Sequence, residues 1–143
     1  MKKYDMLFEI AKKDWGEFTL ISKHLSADQL GYQKILEFLK SGDSNVRNGA
    51  RSLLEKFSAD QLDYQKILEF LKSGDPNVRN GARSLLEKFS ADQLDYQKIL
   101  EFLKSEYPNV RNGARSLLEK HFPDQFGGRQ LKQSSVKLLK MFG

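Results

Sequence analysis

The sequence contains no cysteine, which excludes disulfides, thiol nucleophiles and thiolate metal sites. Histidine is nearly absent as well. His24 and His121 lie in different segments, and two isolated imidazoles without cysteine do not make a zinc site. No apolar run reaches the roughly 18 residues that a membrane-spanning helix needs, so no membrane partner is expected. The opening MKKYDMLFEIAKKD has charges among its apolar residues and no small-residue cleavage site, so it is not expected to be a signal peptide. A cytoplasmic location is the default expectation. No glycine-rich phosphate loop is present, because Gly127-Gly128 lacks a flanking strand and the Lys-Ser/Thr of a P-loop. No catalytic residue, metal or cofactor is therefore expected, and the chain is read as a non-enzyme.

A one-sided charge distribution is also missing. The net charge is +5, yet the central part of the chain is close to neutral. Most of the excess falls at Arg129, Lys132, Lys137 and Lys140. A groove that tracks phosphates should be basic along its length, so nucleic acid is a possible but disfavoured partner.

What the sequence does have is a repeat. Ser58–Phe89 reads SADQLDYQKILEFLKSGDPNVRNGARSLLEKF. Ser26–Phe57 differs from it only at Gly31 and Ser44, and Ser90–His121 only at Glu106, Tyr107 and His121. A strict period in this size range is the signature of a solenoid, in which each unit buries its apolar side against its neighbours. Near-identity of the units points to recent tandem duplication or to engineering, and both stay open. A scaffold without a specific ligand is accordingly one alternative. Asp60, Asp63, Glu69 and Glu87 recur through the copies and read as caps and solvated faces rather than as catalytic acids.

Each unit holds two helices. SADQ has the spacing of a capping box between Ser58 and Gln61, and is expected to open the first. Tyr64, Ile67, Leu68, Phe70 and Leu71 share one side at about 100° per residue, with Leu62 placed to pack under the incoming loop. Gly74 is expected to end this helix in the left-handed conformation. Asp75-Pro76 then starts the second, Asp as N-cap and Pro in the first turn. Val78, Ala82, Leu85, Leu86 and Phe89 form its apolar side. Gly81 costs about 1 kcal/mol of helix propensity relative to Ala, so its presence suggests close approach by a neighbouring helix.

The run GDPNVRNGARSLL, with Asp75, Pro76, Val78, Arg79 and Ala82, resembles the turn and second helix of a HEAT repeat, in its short prokaryotic variety. The resemblance implies an all-α fold, an α-solenoid of stacked antiparallel helix pairs. It also implies a ladder between units that would use Asp43 and Asp75 with Arg47, Arg79 and Arg111. Tyr107 departs from that pattern in the third unit. A tetratricopeptide array is the less favoured fold, since its Trp-Leu-Gly-Tyr pattern is absent. A nucleic-acid-binding HEAT-like protein is a further alternative, one that would need a basic concave groove.

The ends read as degenerate caps on a single domain. Residues 1–25 form a first pair in which MLFEIAKKD matches ILEFLKSGD, Asp14 takes the place of Asp43, and Phe18, Ile21 and Leu25 follow at helical spacing. Trp15, the only tryptophan, is read as covering the open end or as an aromatic anchor for a partner. Residues 122–143 read as a unit reduced to its second helix. FPDQF matches SADQL, and LKQSSVKLLKMF aligns without gaps on VRNGARSLLEKH, with Leu131 on Val110 and Leu138-Leu139 on Leu117-Leu118.

In HEAT-like stacks the second helices line the concave surface. The resemblance therefore places three polar ladders there: Asn48, Asn80 and Asn112; Arg51, Arg83 and Arg115; Glu55, Glu87 and Glu119. Asparagine can pair with the backbone of an extended peptide, and arginine can fork onto a carboxylate. The expected function is non-catalytic protein or peptide binding. The plainer alternative is a solvated face on which Arg83 and Glu87 neutralise each other at i, i+4.

Overall fold

The computed structural model describes residues 2–126 and 133–142. Gly127, Gly128, Arg129, Leu131 and Lys132, invoked above, lie outside the described residues. Among the described residues the fold is all-helical. It comprises α1 (Lys3–Lys13), α2 (Trp15–Lys23), α3 (Tyr32–Glu37), α4 (Ser44–Leu54), α5 (Tyr64–Phe70), α6 (Pro76–Leu86), α7 (Tyr96–Phe102), α8 (Pro108–His121) and α9 (Gln133–Met141).

The two-helix reading of each unit holds, with one boundary corrected. The SADQ capping box is formed, but it closes a short 3-10 turn at Ala59–Gln61 rather than opening the helix. Leu62 is extended, and α5 starts at Tyr64, where the Asp63 carboxylate accepts from the backbone N–H groups of Gln65 (3.0 Å) and Lys66 (3.4 Å). In the first unit Gly31 occupies that position and α3 has no side-chain cap. The Tyr4 hydroxyl accepts the Gly31 N–H instead, at 2.6 Å.

The stop after the first helix also differs from expectation. Neither Gly42 nor Gly74 is in the left-handed region, and a Cβ at either would meet open space. The turn is held by other groups. Ser73 Oγ accepts the Asp75 N–H at 3.1 Å, and Arg79 Nη1 donates to the Ser73 carbonyl at 2.7 Å. Arg47 and Arg111 bind Ser41 and Ser105 in the same way. These arginines fasten their own turn, so the Asp–Arg ladder between units is not formed. Asp43 and Asp75 spend their carboxylates on the N-termini of α4 and α6, each accepting two backbone N–H groups. Tyr107 caps α8 without any side-chain bond.

One apolar core runs from Leu7 to Leu118. Tyr64, Ile67, Leu68 and Leu71 of the first helix are buried, with Phe70 half-buried; Val78, Ala82, Leu85, Leu86 and Phe89 of the second are all buried. Each fully buried Leu or Ile contributes about 1.5–3 kcal/mol relative to exposure. α6 packs on α3 and on the 3-10 turn that follows it, and α8 packs on α5. The glycines make that approach possible. A Cβ at Gly81 would run into the Leu39 side chain, and one at Gly113 into that of Leu71. At Gly49 the obstacle is the Phe18 ring, 2.9 Å from the nearest such Cβ position.

The terminal elements diverge from the repeat. Asp14 ends α1 and caps α2, accepting the Glu17 N–H at 3.1 Å, in the manner of Asp43. At the other end α9 is helical, but Leu138 and Leu139 are 54% and 59% exposed, whereas Leu117 and Leu118, onto which they align, are buried. Similarity of sequence has not carried burial with it.

A polar row on the second helices

Every member of the three sequence-derived ladders is exposed: Asn48 and Arg51 on α4 with Glu55 at its C-cap; Asn80 and Arg83 on α6 with Glu87 at its C-cap; Asn112, Arg115 and Glu119 on α8. The buried side of each helix fixes this, since these residues lie opposite Val78, Ala82 and Leu85 and their copies. The arginines reach along the row. Arg51 Nη1 donates to Asn48 Oδ1 at 2.9 Å, and its Nη2 to Asn77 Oδ1 at 3.5 Å. Arg83 repeats this with Asn80 at 2.9 Å and Asn109 at 3.5 Å. Each guanidinium thus joins one second helix to the first turn of the next.

The anticipated Arg83–Glu87 neutralisation is not formed. Among the described residues the ion pairs are Lys–Glu pairs at i, i+3 or i, i+4, among them Lys40–Glu37 at 2.7 Å and Lys72–Glu69. Glu37 raises the Lys40 pKa by hydrogen bond and charge, and Glu69 does the same for Lys72. Glu55 and Glu87 therefore stand beside arginines that are hydrogen-bonded to neutral asparagines, whereas Arg115 makes no such bond among the described residues. A guanidinium so held keeps its charge and most of its five N–H donors for another acceptor.

Trp15 stands apart from the row, in the first helical pair. Its indole stacks on Phe18 with centroids 5.2 Å apart, and it is 38% exposed. Phe18 is buried against Gly49, so Trp15 covers this end of the core while keeping one face open.

Three participants were not found from sequence. Asn77 and Asn109 complete the arginine bridges, and their recurrence one period apart near the helix starts was the available signal. The third is Lys88, whose ammonium is drawn onto the end of α4, with contacts to the carbonyls of Leu54 (3.0 Å), Glu55 (3.3 Å) and Phe57 (2.5 Å). Burial lowers its pKa, opposed by the nearby Glu55 carboxylate.

No protein-family model matches the chain, and no curated protein matches it. Among the described residues no cluster of three or more His, Cys, Asp or Glu is placed to hold a metal ion. No helix among them is long and apolar enough to cross a membrane.

Proposed function

We propose that the chain is a HEAT-like α-solenoid that binds a protein or peptide, without catalysis, along the concave face of its second helices. The observation that supports this most is the exposed Asn–Arg row, in which Arg51 and Arg83 are oriented by asparagines of two successive second helices. An arginine already held in place loses less side-chain freedom when it engages a carboxylate or a peptide carbonyl. Repetition at one period would let a single extended segment meet two such held arginines, followed by Arg115. The packing of glycine-bearing second helices on the preceding first helices supports the stacked arrangement. In this reading Trp15 is a terminal anchor and the protein acts in the cytoplasm.

A peptide array probed with labelled protein tests the proposal. Changing Arg51, Arg83 and Arg115 together to Glu should abolish capture of acidic extended peptides. The same change should shift stability by no more than about 0.5 kcal/mol per site, as is usual for exposed positions. Changing Lys66 and Lys98, exposed on the first helices, to Glu should leave capture intact. The opposite pattern would overturn the assignment. Salt-sensitive capture of oligonucleotides in place of peptides would favour the nucleic-acid alternative.

A further inference from the structure

The second helices do not end alike. α4 and α6 stop at Leu54 and Leu86, but α8 runs on to His121, beyond the equivalent Leu118. Phe57 and Phe89 are buried in the turns after α4 and α6 and meet Tyr32 and Tyr64 edge-on, at 5.9 and 5.8 Å between centroids. In the third unit His121 replaces that phenylalanine, and Phe122 packs on Tyr96 instead, at 5.3 Å. The contact has slipped by one residue, and the helix continues through the turn.

This changes what happens to one lysine. Lys88 lies in the turn after α6 and closes the end of α4 through three carbonyls. The Leu54 carbonyl also accepts the Phe57 N–H at 3.2 Å, and the negative end of the helix dipole favours a cation beside it. One period on, the same place lies at Leu86, Glu87 and Phe89, and its expected occupant is Lys120. Lys120 is held in the extended α8 and is exposed, with no bond to those carbonyls among the described residues. A groove of about 250 Å³ lies there, lined among others by Arg83, Leu86, Glu87, Leu117, Lys120 and His121. His121 Nε2 is buried and has no hydrogen-bond partner among the described residues.

We propose that this groove binds a lysine side chain presented by an extended segment of a partner protein. The aliphatic stem lies between Leu86 and Leu117, and the ammonium sits on the carbonyls at the end of α6, beside Glu87. The chain supplies its own precedent, since Lys88 makes these contacts one unit earlier. The inference deepens the peptide-binding reading and rests on the second helices being the binding face. It specifies a partner with a lysine at one end of a segment whose carboxylates meet the arginine row.

The test is an NMR titration of the ¹⁵N-labelled full chain with the tripeptide acetyl-Gly-Lys-Gly-amide, its Nε-acetylated twin, and n-butylamine. The lysine tripeptide should give saturable shifts confined to the amides of residues 86–89 and 117–121. Acetylation removes the charge and should weaken binding by about tenfold or more. His121→Phe should restore the aromatic contact, bring the Lys120 ammonium onto the carbonyls at the end of α6 and abolish the shifts. Shifts that are absent or scattered, equal for the acetylated twin, or undiminished in a folded His121→Phe protein would overturn the proposal. Butylamine binding as tightly as the tripeptide would overturn its assignment to a presented side chain. The titration needs no partner, so its failure leaves the arginine-row reading standing. Conversely, failure of peptide capture leaves the groove result standing.

Discussion

Lys72 Nζ lies 5.4 Å from the centre of the Tyr107 ring, joining the end of one first helix to the cap position of the next unit's second helix. Tyr107 thus replaces a capping carboxylate with a contact between units. Tyr107→Asp should restore the cap, worth about 0.5–2 kcal/mol. It should also forfeit the exposed cation–π contact with Lys72. The expected outcome by urea denaturation is a net gain smaller than the full value of the cap, because the two effects oppose each other. A gain near the full value of the cap would show that the ring contact contributes nothing.

Two glycines of one unit should respond in opposite directions to alanine. At Gly74 the added methyl meets open space and the backbone is not left-handed, so Gly74→Ala should stabilise by about 0.4–1 kcal/mol through the unfolded state. At Gly81 the methyl collides with Leu39, which is fully buried. Overpacking costs about 1–3 kcal/mol, against about 1 kcal/mol of helix propensity gained, so Gly81→Ala should be neutral to destabilising by about 2 kcal/mol. Paired thermal melts decide the matter.

The contrast shows where the sequence is legible. Apolar spacing placed Val78, Ala82 and Leu85 in the core, because burial is a property of a whole helix face. The close approach at Gly81 was legible for the same reason. The partner of Arg79 was not, since a guanidinium can choose a carboxylate in the next unit or a carbonyl in its own turn. Only the turn's three-dimensional path brings the Ser73 carbonyl within 2.7 Å. The start of α5 was misplaced because Ser58 and Asp63 are both competent caps, and Leu62 turns extended between them. In the candidate site the exposure of Arg51, Arg83 and Arg115 could be read from a helical wheel. The reach of Lys88 could not, because a wheel assigns every lysine to water. The fate of Lys120 hinges on a single substitution at His121 that shifts a helix end.

Removing the Arg79 guanidinium should be costly although the residue is not fully buried. It makes a charge-assisted bond to the Ser73 carbonyl, and such bonds contribute about 1.5–3 kcal/mol. Arg79→Ala should lower stability within that range, and Arg79→Lys should recover only part of it. Arg83→Ala, on the exposed row, should change the midpoint far less in the same urea titration.

Acid should weaken the third unit through His121. Burial of the ring, and secondarily the Lys120 ammonium, hold this imidazole below its ordinary pKa. Below about pH 6.5 the unfolded chain therefore takes up the proton more readily than the folded one. This part of the stability is complete above that pH and declines as pH falls, until the folded imidazole protonates too. Arg83 and Glu87 line the same groove. The loss of midpoint between pH 7 and 5 should be smaller in His121→Phe than in the parent, which denaturation at matched ionic strength can measure.

The exposed apolar side of α9 leads to a different expectation. Met141 and Phe142 are each 83% exposed, beside the exposed Leu138 and Leu139. Changing Leu138 and Leu139 to Lys should leave the melting midpoint nearly unchanged, with shifts within about 0.5 kcal/mol per site. It should also reduce any concentration-dependent association in sedimentation, because a contiguous apolar patch favours self-contact.

The tyrosine hydroxyls give the chain a set of internal reporters. Tyr32 accepts the Asp63 N–H at 3.3 Å and Tyr64 the Asp95 N–H at 3.1 Å, each across the boundary between neighbouring units. These amides have no other tie to the unit that precedes them. In deuterated solvent their exchange should keep time with the parting of one unit from the next, while amides inside α4 or α6 wait for the helix itself to open. Two protons would then measure, joint by joint, how far the chain unzips before it unfolds.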